Sequence, residues 1–295
     1  METEASAATR LATGNEAMLE AAFRTGDFAL AEEALNQARA LAEQDGDRAG
    51  EAAALDRLGM LMHFRQLDED FAHADTTGEE ALFQRALTIR REIGDLAGAA
   101  DSLFGIGLVH QVFSQDWDTA MPYYWEALAL AEQHAGPLTR SEVHRHVGFY
   151  YLVADVQPER ALLHLQTSHD LRAEHGDPRW IPAGTVALGE ALVAAGRRDE
   201  GLRRMREAVQ QARDAGLRSE RIARIEQSLT EAEAATDGEA KAGTDGETGT
   251  NAETGTDAEA GTDTKAGTDA ESEAHSQAAT DAPAGNDAGA GKARE

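Results

Sequence analysis

The chain has 295 residues, 54 of them acidic and 27 basic, which gives a formal net charge of −27, and it contains no cysteine. Without cysteine the protein cannot build a disulfide framework, a thiolate zinc site or a cysteine nucleophile. We find neither a signal peptide nor an apolar run of membrane length, so we expect a cytoplasmic location. Because a surface this acidic repels phosphate backbones and anionic lipids, we expect neither nucleic acid nor membrane as a partner.

The body of the chain is predicted to be all-α, because it is rich in strong helix formers and has no alternating β-branched runs. We expect a flexible N-terminal arm at residues 1–13 and a helical domain at 14–235. Glycine-based breaks recur roughly every 40–48 residues, and most are followed by aspartate or proline: Gly46, Gly94, Gly136, Gly176 and Gly216. Since glycine ends helices and aspartate or proline begins them, this spacing predicts a solenoid of helical hairpins.

A second signature recurs inside each hairpin. Small, large and small residues follow one another at spacings of four and three, which places them on one helix face. The copies are Ala31/Leu35/Ala38, Ala120/Tyr124/Ala127, Ala161/Leu165/Ser168 and Gly201/Met205/Ala208, with Glu79/Phe83/Ala86 as a variant. Upstream, a glycine is expected where two helices cross, at Gly59, Gly107, Gly148 and Gly189, whereas the first repeat has Leu19 at that spacing.

These residues resemble the tetratricopeptide repeat, in the long variety of about 40–42 residues found in kinesin light chain and in sensor arms of bacterial regulators. The resemblance covers about residues 14–216, with 219–235 as a capping helix. It implies a right-handed α-solenoid of about five hairpins, whose first helices line a concave wall where binding usually occurs.

Placing the repeat pattern on that wall predicts a partner-binding surface. Its residues are Met60, His63, Phe104, Leu108, Gln111, Glu142, Arg145, Phe149, Leu152 and Glu190. An apolar patch edged by charge is typical of a binding surface. We therefore expect an apolar floor for a bound peptide segment, with Arg145 pairing a carboxylate of the ligand. The alternative is that the apolar side chains pack on neighbouring repeats.

Three functions are consistent with the sequence. An adaptor or regulatory module that binds a protein or peptide partner is favoured. A small-molecule sensor is the second interpretation, and an enzyme that uses His63, Asp56, Arg145 and Glu142 in acid–base chemistry is the third. No metal or other cofactor is expected, because the histidine spacings do not place three ligands on one helix face.

The C-terminal residues 236–295 contain no leucine, isoleucine, valine, methionine or aromatic residue, so we expect an acidic disordered tail. The stretch Arg197–Arg224 holds nine arginines against five acids. One hypothesis is that the tail folds back transiently on this patch. The alternative is a solvated helical face with pairs along the helix.

Overall fold

The computed structural model describes residues 6–68 and 74–244, with side chains described as far as residue 235. Every regular element within these ranges is helical, which confirms the predicted all-α class. The α-helices are α1 Ala7–Glu20, α2 Ala29–Asp45, α3 Arg48–Gln66, α4 Thr76–Ile93, α5 Leu96–Val112, α6 Trp117–His134, α7 Pro137–Val153, α8 Pro158–His175, α9 Ile181–Ala194, α10 Arg198–Asp214 and α11 Ser219–Thr244. A π-helical segment, Ala21–Thr25, directly follows α1.

The helices pack as successive hairpins. Helix α1 packs on α2, α3 on α4, α5 on α6, α7 on α8 and α9 on α10, and each hairpin also contacts the next. The odd-numbered helices additionally touch one another in sequence from α1 to α11. They therefore form one continuous inner wall, with the even-numbered helices outside it. This is the predicted α-solenoid of five hairpins with a capping helix.

Most of the predicted breaks fall at the seams between hairpins. Gly46 and Gly94 end α2 and α4 with φ of 68° and 72°, a left-handed conformation that glycine adopts without strain. The carboxylates of Asp47 and Asp95 then cap α3 and α5 by accepting from backbone N–H groups at 2.9 Å. Pro137 opens α7 in the same way that the sequence indicates.

One seam differs from the prediction. Gly176 ends α8, but α9 begins only at Ile181, so Asp177 is not its N-cap. The Asp177 carboxylate instead accepts from the backbone N–H of Arg179 at 2.9 Å and pairs with the guanidinium of that residue at 2.7 Å. This local turn aims Arg179 and Trp180 toward the inside of the solenoid.

The crossing glycines and the large residues of the triplets meet across each hairpin. A methyl group added at these glycines would lie only 2.5–2.7 Å from the facing side chain, closer than packed atoms can approach. The facing pairs are Gly59 with Phe83, Gly107 with Tyr124, Gly148 with Leu165, and Gly189 with Met205. The crossing glycine and the large residue of the triplet are therefore the two sides of one contact between helices.

The first repeat contains the same crossing at a position that the sequence spacing missed. Gly14 faces Leu35, with 2.6 Å between an added methyl group and the Leu35 Cγ atom. Helix α1 begins at Ala7, behind the N-cap Ser6. Residues 7–13 therefore belong to α1 and not to a flexible arm, and Leu19 is not at the crossing, whereas residues 1–5 of the predicted arm lie outside the described residues. The π-helical segment lengthens this hairpin's connection, so counting back from Leu35 by the usual spacing stops at Leu19 and falls short of Gly14.

At the other end, α11 continues to Thr244, beyond the domain end expected at residue 235. Residues 245–295, which make up most of the predicted tail, lie outside the described residues. Within the described part of the chain, no helix combines the length and the apolar character needed to cross a membrane.

Candidate functional site: the central cavity

The inner wall surrounds a cavity of about 490 Å³. Side chains from α3, α5, α7, α9 and α11 line it, together with Phe23 of the π-helical segment and the Arg179–Trp180 turn. This volume falls within the range of about 300–1,000 Å³ that is typical of small-molecule sites.

The two ends of the solenoid meet beside this cavity. The backbone N–H of Arg218, just before α11, donates to the carbonyl of Phe23 at 2.9 Å, and its side-chain Nε donates to the carbonyl of Ala22 at 3.2 Å. In the opposite direction, Arg24 donates to the carbonyl of Ala215 at 3.1 and 3.2 Å. The inner wall is therefore a closed ring of helices rather than an open groove.

Apolar packing supports this closure. The Phe23 ring is 2% exposed and lies 4.9 Å from the Trp180 ring and 6.2 Å from the Phe64 ring, both in edge-to-face geometry. The guanidinium of Arg221 stacks over Phe23 at 4.3 Å. One hydrophobic cluster joins the first hairpin, through these rings, to Leu217 and Ile225. The seam between first and last repeats is thus part of the core.

The structure brings nine of the ten predicted binding residues together on the cavity surface: Met60, His63, Phe104, Leu108, Gln111, Glu142, Arg145, Phe149 and Glu190. Leu152 does not line the cavity. It packs instead against Leu165 of α8 and Ala187 and Ala191 of α9, so its side chain joins neighbouring helices.

Two of the residues predicted for the apolar floor pack around one histidine ring. Phe104 and Phe149 contact the His146 ring from two sides, with centroid distances of 5.2 and 6.1 Å. Gln111 holds this ring in place, since its Oε1 lies 2.5 Å from His146 Nδ1 and accepts from the Tyr124 hydroxyl at 2.7 Å. Burial lowers the pKa of His146 well below its usual value, so the ring is neutral and acts as part of the floor.

His63 lines the cavity but is already paired. Its Nδ1 lies 2.8 Å from the carboxylate of Glu79, and Gln66 donates to the same carboxylate at 2.6 Å. Glu79 and His63 are 0% and 3% exposed. This network explains the irregular triplet of the second repeat, because the buried Glu79 in place of a small residue is satisfied by partners from α3.

Two acids of the cavity are also held by arginines. Asp56 lies 2.5 Å from Arg90 and accepts from the Ser102 hydroxyl at 2.9 Å, and burial raises its pKa to about 7. Glu142 forms an ion pair with Arg172, which also donates to the carbonyl of Trp180 at 2.7 Å. Three of the four groups considered for acid–base chemistry, His63, Asp56 and Glu142, thus carry a structural partner.

Two arginines in the cavity have no such carboxylate. The Arg145 guanidinium stacks over the Phe149 ring at 4.4 Å, its Nε has no hydrogen-bond partner, and none of the described carboxylates lies within 4.0 Å of it. Arg221 donates to the carbonyl of Ala22 and likewise has no ion-pair partner among the described residues. Burial lowers both pKa values to about 10, so both side chains remain cationic at neutral pH.

Sequence reasoning missed the residues that close the cavity: Phe23, Phe64, Arg172, Arg179, Trp180, Arg221, Ile225 and Ser228. Several lie on the connections or on the capping helix, to which the repeat pattern assigns no binding role. The clearest available signal was the run of arginines at the start of α11, which we assigned to a surface patch.

That patch, Arg197–Arg224, is largely engaged in pairs. The ion pairs are Arg197 with Glu200, Arg204 with Glu207, Arg206 with Glu233, Arg213 with Glu226, and Arg218 and Arg224 with Asp68. This geometry agrees with the helical-face alternative, extended by pairs to α11. The contact with the acidic tail stays a prediction. Across residues 6–68 and 74–244, no three His, Asp or Glu side chains are grouped to hold a metal ion.

Outside the cavity, a histidine pair between α7 and α8 is expected to make stability depend on pH. The Nδ1 atoms of His144 and His164 lie 2.9 Å apart, and burial lowers the pKa of His164 from 6.5 to about 4. The unfolded chain therefore binds a proton that the folded chain rejects. The contribution of His164 is fully present above pH 6.5 and is lost as the pH falls from 6.5 toward 4.

We expect the free energy of unfolding to fall by about 1–2 kcal/mol through this group over that interval, an amount reduced by the partial exposure of the ring. His164→Gln should flatten the decline, as followed by urea denaturation at pH 7 and pH 5. His134→Gln, at an exposed position of α6, is the matched control. Equal slopes in all three proteins would show that His164 is not desolvated.

Comparison with known proteins places few limits on function. No protein-family model matches the chain, and no curated protein matches it. Among solved structures, it is similar to the crystal structure of BtubC (BKLC) from P. vanneervenii, with a TM-score of 0.42 and 16% sequence identity over 87% of this chain and 98% of that one. This similarity is too low to assign a family or a ligand.

Proposed function

We propose that this helical-repeat protein binds a small organic anion, with an apolar body, in its central cavity. The observation that carries the proposal is the presence of two cationic side chains, Arg145 and Arg221, on the cavity wall without carboxylate partners among the described residues. The small-molecule interpretation is thereby favoured over the peptide adaptor that the sequence favours. Binding is proposed, and catalysis is not.

The charge balance inside the cavity differs from that of the whole protein. Six arginines line it against four acids. Three of those acids have arginine partners, namely Asp56 with Arg90, Asp101 with Arg57 and Glu142 with Arg172. Within the part of the chain that the structure describes, Arg145 and Arg221 are thus left without a carboxylate partner, in a protein of net charge −27.

A buried charge without a partner is costly, because it has lost water and gained no opposing charge. A ligand carboxylate would relieve this cost at Arg145, whose planar guanidinium suits two parallel hydrogen bonds to carboxylate oxygens. The rings and side chains of Phe104, Leu108 and Phe149 would contact the apolar part of the ligand. A few polar groups set into an apolar wall are typical of small-molecule sites.

A peptide adaptor remains the second candidate, because the Arg145 guanidinium would donate hydrogen bonds equally well to the terminal carboxylate of a peptide. The ring closure argues against an extended segment running along the whole inner wall. If the protein is a peptide adaptor, only the last residues of the peptide enter the cavity.

Trp180 provides a reporter for the test, because it is one of three tryptophans and lines the cavity. In full-length protein carrying Trp117→Phe and Trp125→Phe, its fluorescence should titrate with 3-phenylpropionate. The neutral analogue 3-phenylpropanol should bind at least tenfold more weakly, since a charge-assisted pair contributes about 1.5–3 kcal/mol.

Arg145→Gln should reduce the affinity for 3-phenylpropionate at least tenfold and leave that for 3-phenylpropanol unchanged. Arg206→Gln, which removes an exposed arginine on the outer helix α10, is the control and should have no effect. Equal affinity for acid and alcohol, or an unaltered acid affinity in Arg145→Gln, would contradict the proposal.

A further inference from the structure

One acidic side chain in the cavity also has no charged partner. Glu190 of α9 lines the cavity, and no arginine, lysine or histidine nitrogen of the described residues lies within 4.0 Å of its carboxylate. The polar group that faces it is the Ser228 hydroxyl of α11. Burial raises the pKa of Glu190, which reflects the cost of keeping this carboxylate ionised without a cation beside it.

Arg145 and Glu190 stand on neighbouring inner helices but do not pair. They influence each other electrostatically, yet they are too far apart for an ion pair. The Arg145 guanidinium instead stacks on Phe149 and contacts His146 Nε2 at 3.5 Å. Among the described residues, the cavity therefore presents two cations, Arg145 and Arg221, and one anion, Glu190, without an ion-pair partner.

The charges of Arg145 and Glu190 would be satisfied together by a ligand that carries both signs. A simple carboxylate would pair with Arg145 and leave Glu190 without a cation, whereas an added ammonium group would supply it. Alkylammonium groups have three donors, which suits them to a carboxylate and a nearby hydroxyl such as that of Ser228.

We infer that the ligand is dipolar, with its carboxylate on Arg145 and its ammonium group on Glu190. The inference rests on the proposed function and narrows its ligand class to amino acids or short peptides with free ends. Glu190 is then the residue that determines specificity for the amine.

The experiment compares L-phenylalanine with 3-phenylpropionate, which has the same skeleton without the α-amino group. Both are titrated into full-length protein with Trp180 as the reporter, before and after Glu190→Gln. The wild-type cavity should bind phenylalanine at least tenfold more tightly. Glu190→Gln should abolish this preference and leave the affinity for 3-phenylpropionate within twofold of wild type, which also shows that the variant is folded.

A second pair of compounds shows whether the dipolar ligand is a free amino acid or a short peptide. The dipeptide Phe-Leu is compared with N-acetyl-Phe-Leu, in which the ammonium group is absent. The ratio of affinities for Phe-Leu and N-acetyl-Phe-Leu is compared with the ratio for phenylalanine and 3-phenylpropionate. A larger ratio for the dipeptide pair that is lost in Glu190→Gln assigns the site to peptide ends. A larger preference for phenylalanine assigns it to free amino acids.

Failure of the dipolar-ligand inference and failure of the proposed function give different results. If 3-phenylpropionate binds but phenylalanine binds no more tightly, the dipolar ligand is refuted and the anion site stands. If the amine preference survives Glu190→Gln, the role of Glu190 is refuted. If neither compound nor dipeptide binds wild-type protein, both the inference and the proposed function are overturned.

Discussion

Gly107→Ala is expected to lower the free energy of unfolding by about 2 kcal/mol, although alanine is the better helix former. The added methyl group would lie 2.7 Å from Cε1 of Tyr124, a ring that is 0% exposed and bonded through its hydroxyl to Gln111. The ring has no space to move into, so α5 and α6 must separate. The intrinsic gain of about 0.5–1 kcal/mol for replacing glycine within a helix offsets only part of this cost.

Gly136→Ala is the matched control, because no atom lies within 4 Å of its added methyl group and its φ is −74°. Its free energy of unfolding should stay within about 0.5 kcal/mol of wild type. Urea denaturation followed by circular dichroism at 222 nm measures both variants. An equal effect at the two glycines would mean that the helices do not cross at Gly107.

Phe23→Ala is expected to destabilise the protein by about 3–5 kcal/mol, the usual range for a large ring deleted from a core. Phe23 fills the seam between the first and last repeats, against Phe64, Trp180 and Arg221. Its loss should also open the cavity to water, because Trp180 would lose the ring packed 4.9 Å from it.

Two measurements follow this change in the Trp117→Phe/Trp125→Phe background. Chemical denaturation gives the loss of stability, and the emission of Trp180 should shift to the red in native buffer as the indole gains water. Leu30→Ala is the control, since Leu30 is 59% exposed on the outer helix α2. Unchanged Trp180 emission in Phe23→Ala would show that Phe23 does not seal the cavity.

Much of the fold was predictable from the sequence, because its determinants are local and repeated. The glycine at the crossing and the large residue that packs on it are 16–17 residues apart in the third, fourth and fifth hairpins, and a longer connection widens this spacing in the second. Any such pair fixes the approach of two helices, so the repeat pattern yields both the hairpins and the face that points inward. Nine of the ten predicted binding residues share one cavity for this reason.

The closure of the ring was not predictable in the same way. It depends on contacts between the two ends of the domain, such as Arg218 with Phe23 and Arg24 with Ala215. Small rotations at every hairpin decide whether those ends meet, and no repeat motif encodes their sum. The crossing at Gly14 was missed for a local reason, the π-helical segment that lengthens the first connection.

The sequence also did not predict which charged side chains form ion pairs with one another. The sequence does not show that Arg172 of α8 pairs with Glu142, or that Arg145 of α7 has no described carboxylate within 4.0 Å. Only the packing of α7 against α8 and α9 distinguishes them. The candidate ligand site thus follows from which charges the fold leaves unpaired.

A distance between the two ends of the inner wall tests whether the solenoid closes on itself. The chain has no cysteine, so Thr25→Cys and Glu220→Cys, both at exposed positions, allow two spin labels to be attached selectively. Because residues 23 and 218 are hydrogen-bonded at 2.9 Å, double electron–electron resonance should give one short and narrow distance distribution. A long or broad distribution would indicate an open superhelix without a central cavity and would contradict the ligand site proposed for it.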